Sequence, residues 1–147
     1  MSAPPALPFG RTAGGQEATL YTLENETIRV RIIDWGGRIV SIETPDRAGS
    51  RAEITLGFDE VGMYEAAGGA FGALLGRTAN RIAGGDLTID GRWYRLAIND
   101  RGATLHGGPG GFHSVLWRAA GGTSKAFPSL VLSHVSPDGD QGFPREV

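Results

Sequence analysis

The sequence predicts an all-β protein, and we expect an antiparallel β-sandwich. Short runs of β-branched and apolar residues alternate with polar residues, which is typical of strands that bury one face. Glycine accounts for 24 of the 147 residues and occurs in pairs that separate these runs, as expected for turns between short strands. No stretch has the apolar spacing of a convincing amphipathic helix. Together these observations favour a sandwich or a barrel.

The first predicted strands lie between residues 28 and 58. Residues 28–32 alternate Ile, Val and Ile with two arginines, the pattern of a half-buried strand. Residues 39–44 are rich in β-branched side chains and end at Pro45-Asp46, a turn signal. A further short strand is predicted over 53–58.

The clearest local prediction is a β-hairpin. Residues 86–89 and 92–96 alternate in polarity on either side of Asp90-Gly91. An Asp-Gly pair supplies the two positive φ angles of a type I′ turn, whose twist matches that of the flanking strands. We therefore expect an antiparallel pair here.

The remaining segments complete the prediction. Further strands are expected over 114–119 and 129–135. Residues 70–82 are the best helix candidate, but Gly72 and Gly76 each cost about 1 kcal/mol relative to Ala in a helix, so strand and loop are predicted.

No internal repeat or linker divides the chain. We therefore predict a flexible N-terminal segment over 1–15 and one domain over 16–147.

Composition and charge argue against several classes of protein. The net charge is −2, which gives no reason to expect a nucleic acid or an anionic membrane as a partner. Cysteine is absent, so disulfides and thiolate sites are excluded. No window reaches the roughly 18 apolar residues of a membrane span, and no signal peptide is recognisable. A cytoplasmic protein is the resulting prediction.

The common motifs of cofactor and metal sites are missing. No phosphate loop, dinucleotide fingerprint or nucleophile elbow occurs. The three histidines, His106, His113 and His134, are spaced by seven and twenty-one residues, which matches no zinc pattern. The sequence therefore predicts no metal site.

Residues 76–82 form the first candidate binding segment. Two arginines and Asn80 lie within five residues, next to a glycine that permits close backbone approach. A neutral polyol needs donors and acceptors in fixed directions, and Arg and Asn provide them. A solvated loop with surface arginines explains the same composition.

Residues 104–112 form the second candidate segment. His106 stands between an apolar residue and a glycine-rich stretch, a position that can face a cleft at the end of a strand. Its side chain has an unperturbed pKa suited to proton transfer near neutral pH. A histidine that only hydrogen-bonds a loop is the alternative. Phe112, Trp117 and Trp93 could form an apolar wall against a sugar or belong to the core.

Taken in order, these segments resemble the signature of the aldose 1-epimerase (galactose mutarotase) family. The resemblance runs from about Gln16 to the C-terminus. Its elements are Leu56-Gly57-Phe58-Asp59, then 71–82, the Asp90-Gly91 hairpin, 96–99, 105–112 with Trp117 after it, and 136–144 with the sequence Ser-Pro-Asp-Gly-Asp-Gln-Gly-Phe-Pro. It implies a mutarotase-like β-sandwich, here as its incomplete N-terminal portion.

The resemblance also implies a site and a reaction. Arg81 and His106 would hydrogen-bond the oxygens of an aldohexose such as galactose or glucose, with Asn80 supporting them. Arg77 matches a family position and is expected to be structural. The α and β anomers would interconvert by acid–base ring opening and reclosure, with His106 among the catalytic residues and no cofactor.

The family's second His, its Glu base and a sugar-binding Asp come from beyond the element at 136–144, so the resemblance implies an N-terminal half. A separate C-terminal half or self-association would then complete it. Two alternatives stay open: a non-catalytic carbohydrate-binding module and an inactive fragment. Nucleic acid and membrane are not expected as partners.

Overall fold

The structure is a computed structural model in which residues 4–122 and 127–147 are described. It is mostly β and its strands pair antiparallel, which confirms the predicted class. The elements, in chain order, are β1 (Ala6–Arg11), β2 (Glu17–Glu24), β3 (Arg29–Ile33), β4 (Arg38–Pro45), β5 (Arg51–Glu53), α1 (Val61–Ala67), β6 (Arg81–Ala83), β7 (Asp86–Ile89), β8 (Arg92–Arg95), β9 (Ala103–Leu105), β10 (Arg118–Gly121) and β11 (Leu130–Ser133).

Strands β1 to β5 form one antiparallel sheet in sequential order. The strands predicted over 28–32 and 39–44 are confirmed as β3 and β4. Two predictions differ from the structure. The expected flexible segment over 1–15 contains β1, because its backbone pairs with β2 and Phe9 is buried at 7% exposure. The strand expected over 53–58 is shifted, because β5 ends at Glu53.

The hydrophobic core lies between this sheet and α1. Its buried members are Phe9, Ala18, Leu20, Ile33, Trp35, Val40, Val61 and Tyr64. Helix α1 was not predicted, because it is only seven residues long and contributes two buried side chains, Val61 and Tyr64. The hydroxyl of Tyr64 also accepts a hydrogen bond from the Phe58 amide at 3.0 Å, which fixes the chain entering the helix.

In the described residues of the second half, loops and two short 3-10 helices connect three two-stranded ladders. The predicted hairpin is confirmed: β7 pairs with β8, and Asp90 and Gly91 have φ of 50° and 75° as a type I′ turn requires. The strand predicted over 129–135 corresponds to a shorter one, β11. The strand predicted over 114–119 is shifted, because a short 3-10 helix (Phe112–Ser114) stands at its start and β10 begins only at Arg118. Residues 70–80 are loop and lead into β6.

Among the described residues, none of the helices has the length and apolarity to cross a membrane.

Candidate functional site

The ladder of β6 and β9 brings the two candidate segments together. Arg81 is paired with Leu105, so Asn80 directly precedes one strand and His106 directly follows the other. The two residues bond reciprocally: the Asn80 amide donates to His106 Nδ1 at 3.0 Å, and the His106 amide donates to Asn80 O at 3.0 Å. An accepting Nδ1 carries no proton, so in the neutral ring Nε2–H is a donor.

Arg81 lies beside this pair with its side chain 56% exposed. Its Nε donates to Asp100 Oδ2 at 2.6 Å, and its Nη1 lies 3.5 Å from Asn80 Oδ1. A carboxylate partner of this kind orients the guanidinium. Asp100 was not selected from the sequence, because it reaches Arg81 only through the pairing of β6 with β9.

The segment before β9 supports the residue that precedes His106. Asn99 Nδ2 donates to Leu105 O at 3.0 Å, and Asn99 Oδ1 accepts from the Leu105 amide at 2.7 Å. The Asn99 carboxamide therefore satisfies both main-chain groups of Leu105, as a paired strand would. Thr104, fully buried, donates through its hydroxyl to Ala97 O at 2.7 Å. These bonds fix the end of β9 from which His106 projects.

The glycine-rich loop after His106 packs backbone to backbone against the loop before Asn80. A Cβ atom on Gly107, whose φ is 85°, would lie 1.7 Å from Gly76 O, so only glycine fits. The same carbonyl accepts a hydrogen bond from the Phe112 amide at 3.2 Å. The two segments singled out by composition thus form one continuous surface.

The candidate aromatic residues fall into two groups. Phe112 and Trp117 make an edge contact with ring centroids 5.4 Å apart, and His134 packs against both rings at 5.8 and 5.5 Å. Trp93 lies on β8 at 61% exposure and contacts the Arg95 guanidinium. Phe112 and Trp117 therefore form an aromatic cluster with His134, and contact of these rings with a sugar stays a prediction.

A buried arginine lies behind the site. Arg38 is 1% exposed and donates to Phe71 O at 2.9 Å and to His113 O at 3.0 Å, which joins the loop before the first candidate segment to the residue that follows the second. Burial lowers the pKa of Arg38. Burial, followed by the charges of Arg38 and His106, also lowers the pKa of the His113 imidazole, so His113 is neutral at neutral pH.

This set of groups suits a neutral, hydroxyl-rich ligand. Arg81 and His106 Nε2 provide donors, and Asn80 provides a carboxamide that both donates and accepts. Within the parts of the chain that the structure describes, no cluster of three or more His, Cys, Asp or Glu could hold a metal ion.

A family model and the similar proteins all point to one family. The family model described as aldose 1-epimerase matches residues 19–147. A galactose mutarotase of Bos taurus is 44% identical over 142 residues, which cover 96% of this chain and 39% of that protein. An aldose 1-epimerase of Escherichia coli K12 is 36% identical over 131 residues, or 88% of this chain and 37% of that protein.

Solved structures agree with the fold. The aldose epimerase homologue from C. elegans superposes with a TM-score of 0.78 at 27% identity, over 88% of this chain and 39% of that one. The galactose 1-epimerase from Lactobacillus acidophilus gives a TM-score of 0.79 at 20% identity over 97% of this chain, a likeness of fold. The chain spans about two fifths of the length of these proteins, 39% and 41%.

Proposed function

The chain belongs to the aldose 1-epimerase family, and we propose on that premise that Asn80, Arg81 and His106 bind a free aldohexose during interconversion of its α and β anomers. The supporting observation is the reciprocal hydrogen bonding of Asn80 with His106, at 3.0 Å in both directions. It holds the imidazole in one tautomer, and the Arg81 guanidinium lies 3.5 Å from Asn80 Oδ1. Such a preformed array matches a ligand whose hydroxyl oxygens accept and whose hydroxyl protons donate.

The proposed roles follow from the donors and acceptors of each group. His106 donates from Nε2 to a sugar oxygen, and Arg81 donates from the guanidinium that Asp100 orients. Asn80 holds the imidazole through its amide. The reaction removes the proton of the anomeric hydroxyl while the ring oxygen is protonated, and each positioned acid or base contributes about 10²–10⁴-fold. The bond between C1 and the ring oxygen breaks as these two protons move, which gives the open-chain aldehyde. Rotation about the C1–C2 bond and reclosure then give the other anomer. No electron is transferred to or from the sugar, and we propose that the chemistry uses neither a metal nor an organic cofactor.

We propose the full catalytic activity, interconversion of the anomers, only for a protein of the length of the relatives. The chain spans 39% of the bovine relative and 37% of the bacterial one. The resemblance implies that a second His and a Glu lie beyond the element at 136–144. We therefore propose that the catalytic acid and base belong to the part of the relatives' length that these residues do not cover, whether that part continues this chain, is a separate C-terminal half or involves self-association.

A non-catalytic carbohydrate-binding module is the second candidate. It is supported by the ladder of β6 and β9, which brings Asn80, Arg81 and His106 together, because these donors suffice for binding a sugar. A cytoplasmic location, proposed from the sequence, is tested by fractionation of cells that express the chain.

Galactose binding, followed by NMR titration of the chain, tests the proposal. We expect shifts of the Asn80, Arg81 and His106 amides that Arg81→Ala and His106→Ala abolish. Arg92→Ala, which removes an exposed arginine on β8, is the matched control and keeps binding. Absence of saturable shifts at millimolar galactose in the unaltered chain would contradict the proposal.

Polarimetry of freshly dissolved α-D-galactose then separates the two candidates. Faster relaxation than the spontaneous rate, abolished by His106→Ala, identifies an enzyme. Binding without faster relaxation identifies the carbohydrate-binding module.

A further inference from the structure

Arg77 uses every donor of its guanidinium within the structure. Its Nε donates to Ser136 Oγ at 2.9 Å, and its Nη1 donates to Pro144 O at 3.0 Å and Arg145 O at 2.6 Å. Its Nη2 donates to Ser136 O at 2.9 Å and Pro137 O at 2.7 Å. All five acceptors are uncharged oxygens. The site therefore requires the directed donors of an arginine, and does not pair its charge with an acid.

The segment held by Arg77 is the element at 136–144, to which the proposed function gives no role. Ser136 is fully buried, and its hydroxyl donates to Asp140 Oδ2 at 2.6 Å while it accepts from Arg77. Phe143 is 4% exposed, with the Arg77 guanidinium 5.7 Å from its ring. The segment is therefore anchored at both of its ends by one side chain.

Gln141, in the middle of this segment, reaches the loop that follows His106. Its Oε1 accepts from the Gly110 amide at 3.0 Å, and its backbone carbonyl accepts from the Ala97 amide at 2.9 Å. A Cβ atom on Gly110 would lie 2.5 Å from Gln141 Nε2, and one on Gly108 would lie 2.9 Å from Oε1. The glycine loop is thus shaped around this one side chain.

We propose that Arg77 is a positioning residue for the sugar site, which acts by holding the segment 136–144 so that Gln141 supports the loop after His106. This inference rests on the proposed function. Arg77 lies three residues before Asn80, so it links the segment 136–144 to Asn80 through the main chain. The same segment contacts the loop after His106 through Gln141. A side chain that touched the sugar itself would need donors that Arg77 has already used.

Arg77→Lys tests the geometry separately from the charge. A lysine keeps the positive charge but has three donors at one point, and it cannot reach five acceptors in a planar array. We expect Arg77→Lys to be as defective as Arg77→Ala. Gln141→Ala removes the same support without changing Arg77, which provides a second variant if Arg77→Lys fails to fold.

The first measurement is amide hydrogen exchange, which does not depend on sugar. In Arg77→Lys and Gln141→Ala, the amides of His106 and Gly110 are expected to exchange about tenfold faster or more, whereas the amides of Leu20 and Ile33 in the sheet are unchanged. Equal acceleration at all four amides, or none at His106 and Gly110, would overturn the inference, because the residues would then act on global stability or not at all.

The second measurement is galactose affinity at a temperature where all variants are folded. Arg77→Lys is expected to raise Kd at least about tenfold, since a displacement of about 1 Å in a binding group has effects of this size or larger. Val61→Ala, which weakens the core far from this segment, lowers the midpoint of thermal unfolding and is expected to leave Kd unchanged. An unchanged Kd in Arg77→Lys would overturn the inference. If the unaltered chain binds no galactose, the proposed function fails, and hydrogen exchange still decides whether Arg77 positions His106.

Discussion

Two regions of the chain are stabilised in different ways. The sheet with α1, residues 6–67, contains all eight buried members of the hydrophobic core cluster. The region from residue 68 onward has short ladders and long loops, and its order depends on side chains that bond to the main chain. Arg77, Asn99 and Gln141 are the main examples.

The difference separates stability from site geometry. Apolar burial is non-directional and contributes roughly in proportion to buried area, so it stabilises the first region without specifying fine orientation. Hydrogen bonds are directional, and the two bonds of 3.0 Å between Asn80 and His106 orient these residues in the second region. We therefore expect core substitutions to lower global stability, and loop substitutions to disturb the site first.

The largest effect is expected for Ile33→Ala. Ile33 is fully buried in the core, so the substitution removes apolar contacts and leaves a cavity, at a cost of about 2–5 kcal/mol in the free energy of unfolding. Urea unfolding followed by circular dichroism measures it. Ile54→Ala, at a site 62% exposed, is the matched control and should cost less than about 0.5 kcal/mol. Equal effects in the two variants would show that the sheet does not depend on this core.

Gly107→Ala is expected to act on the site. The added Cβ would overlap Gly76 O at a φ of 85°, and overpacking of this kind costs about 1–3 kcal/mol. Gly49→Ala is the control, because Gly49 has the same φ of 85° with nothing within 4 Å of the added Cβ. NMR shifts of the His106 and Asn80 amides should change only in Gly107→Ala. Matching shifts in the control would mean that backbone strain, and not the close approach, is responsible.

Asn99→Ala removes two hydrogen bonds to Leu105 and should cost about 1–2 kcal/mol. Its effect is expected in galactose affinity as well as in stability, because Leu105 directly precedes His106. Asn25→Ala is the control in the first region, where Asn25 Oδ1 accepts from the Thr27 and Ile28 amides. Galactose affinity that falls equally in both variants would contradict the separation of the two regions.

The smallest effect is a pH dependence from His113. Burial holds the pKa of His113 below the ordinary histidine value of 6.5, so the unfolded state binds the proton more readily than the folded state. Stability should therefore be highest above pH 6.5 and decrease as the pH falls below it. The thermal midpoint between pH 5 and 8 measures this, and His113→Gln should flatten the profile. An unchanged slope in His113→Gln would assign the dependence to other groups.

Features that depend on residues adjacent in the sequence were the ones that the sequence predicted. The Asp90-Gly91 turn and the alternating residues of β3 were predicted, because adjacent residues dictate them. Asn80, Arg81 and His106 were proposed from motifs, and their roles stay a prediction. Helix α1 was missed because its two buried residues, Val61 and Tyr64, are too few to show a helical spacing of apolar residues. Strand β1 was missed because it is ordered by its pairing with β2.

Features that join distant positions were not predictable. Arg38 is indistinguishable by sequence from the half-buried arginines of β3, yet it is 1% exposed and bonds His113 O, 75 positions away. Asp100 likewise becomes the partner of Arg81 only after β6 pairs with β9. Burial and partner choice of this kind depend on which segments meet.

The sequence by itself determined the antiparallel β class, the glycine-bounded turns and the residue types available to a sugar, because alternation and turn chemistry operate between neighbours. Only the tertiary structure decided that Asn80 and His106 bond each other, and that Arg77 bonds a segment 59 or more positions away. The physical reason is that hydrogen bonds require distances near 3 Å and defined angles, and for residues far apart along the chain only the packed fold provides them.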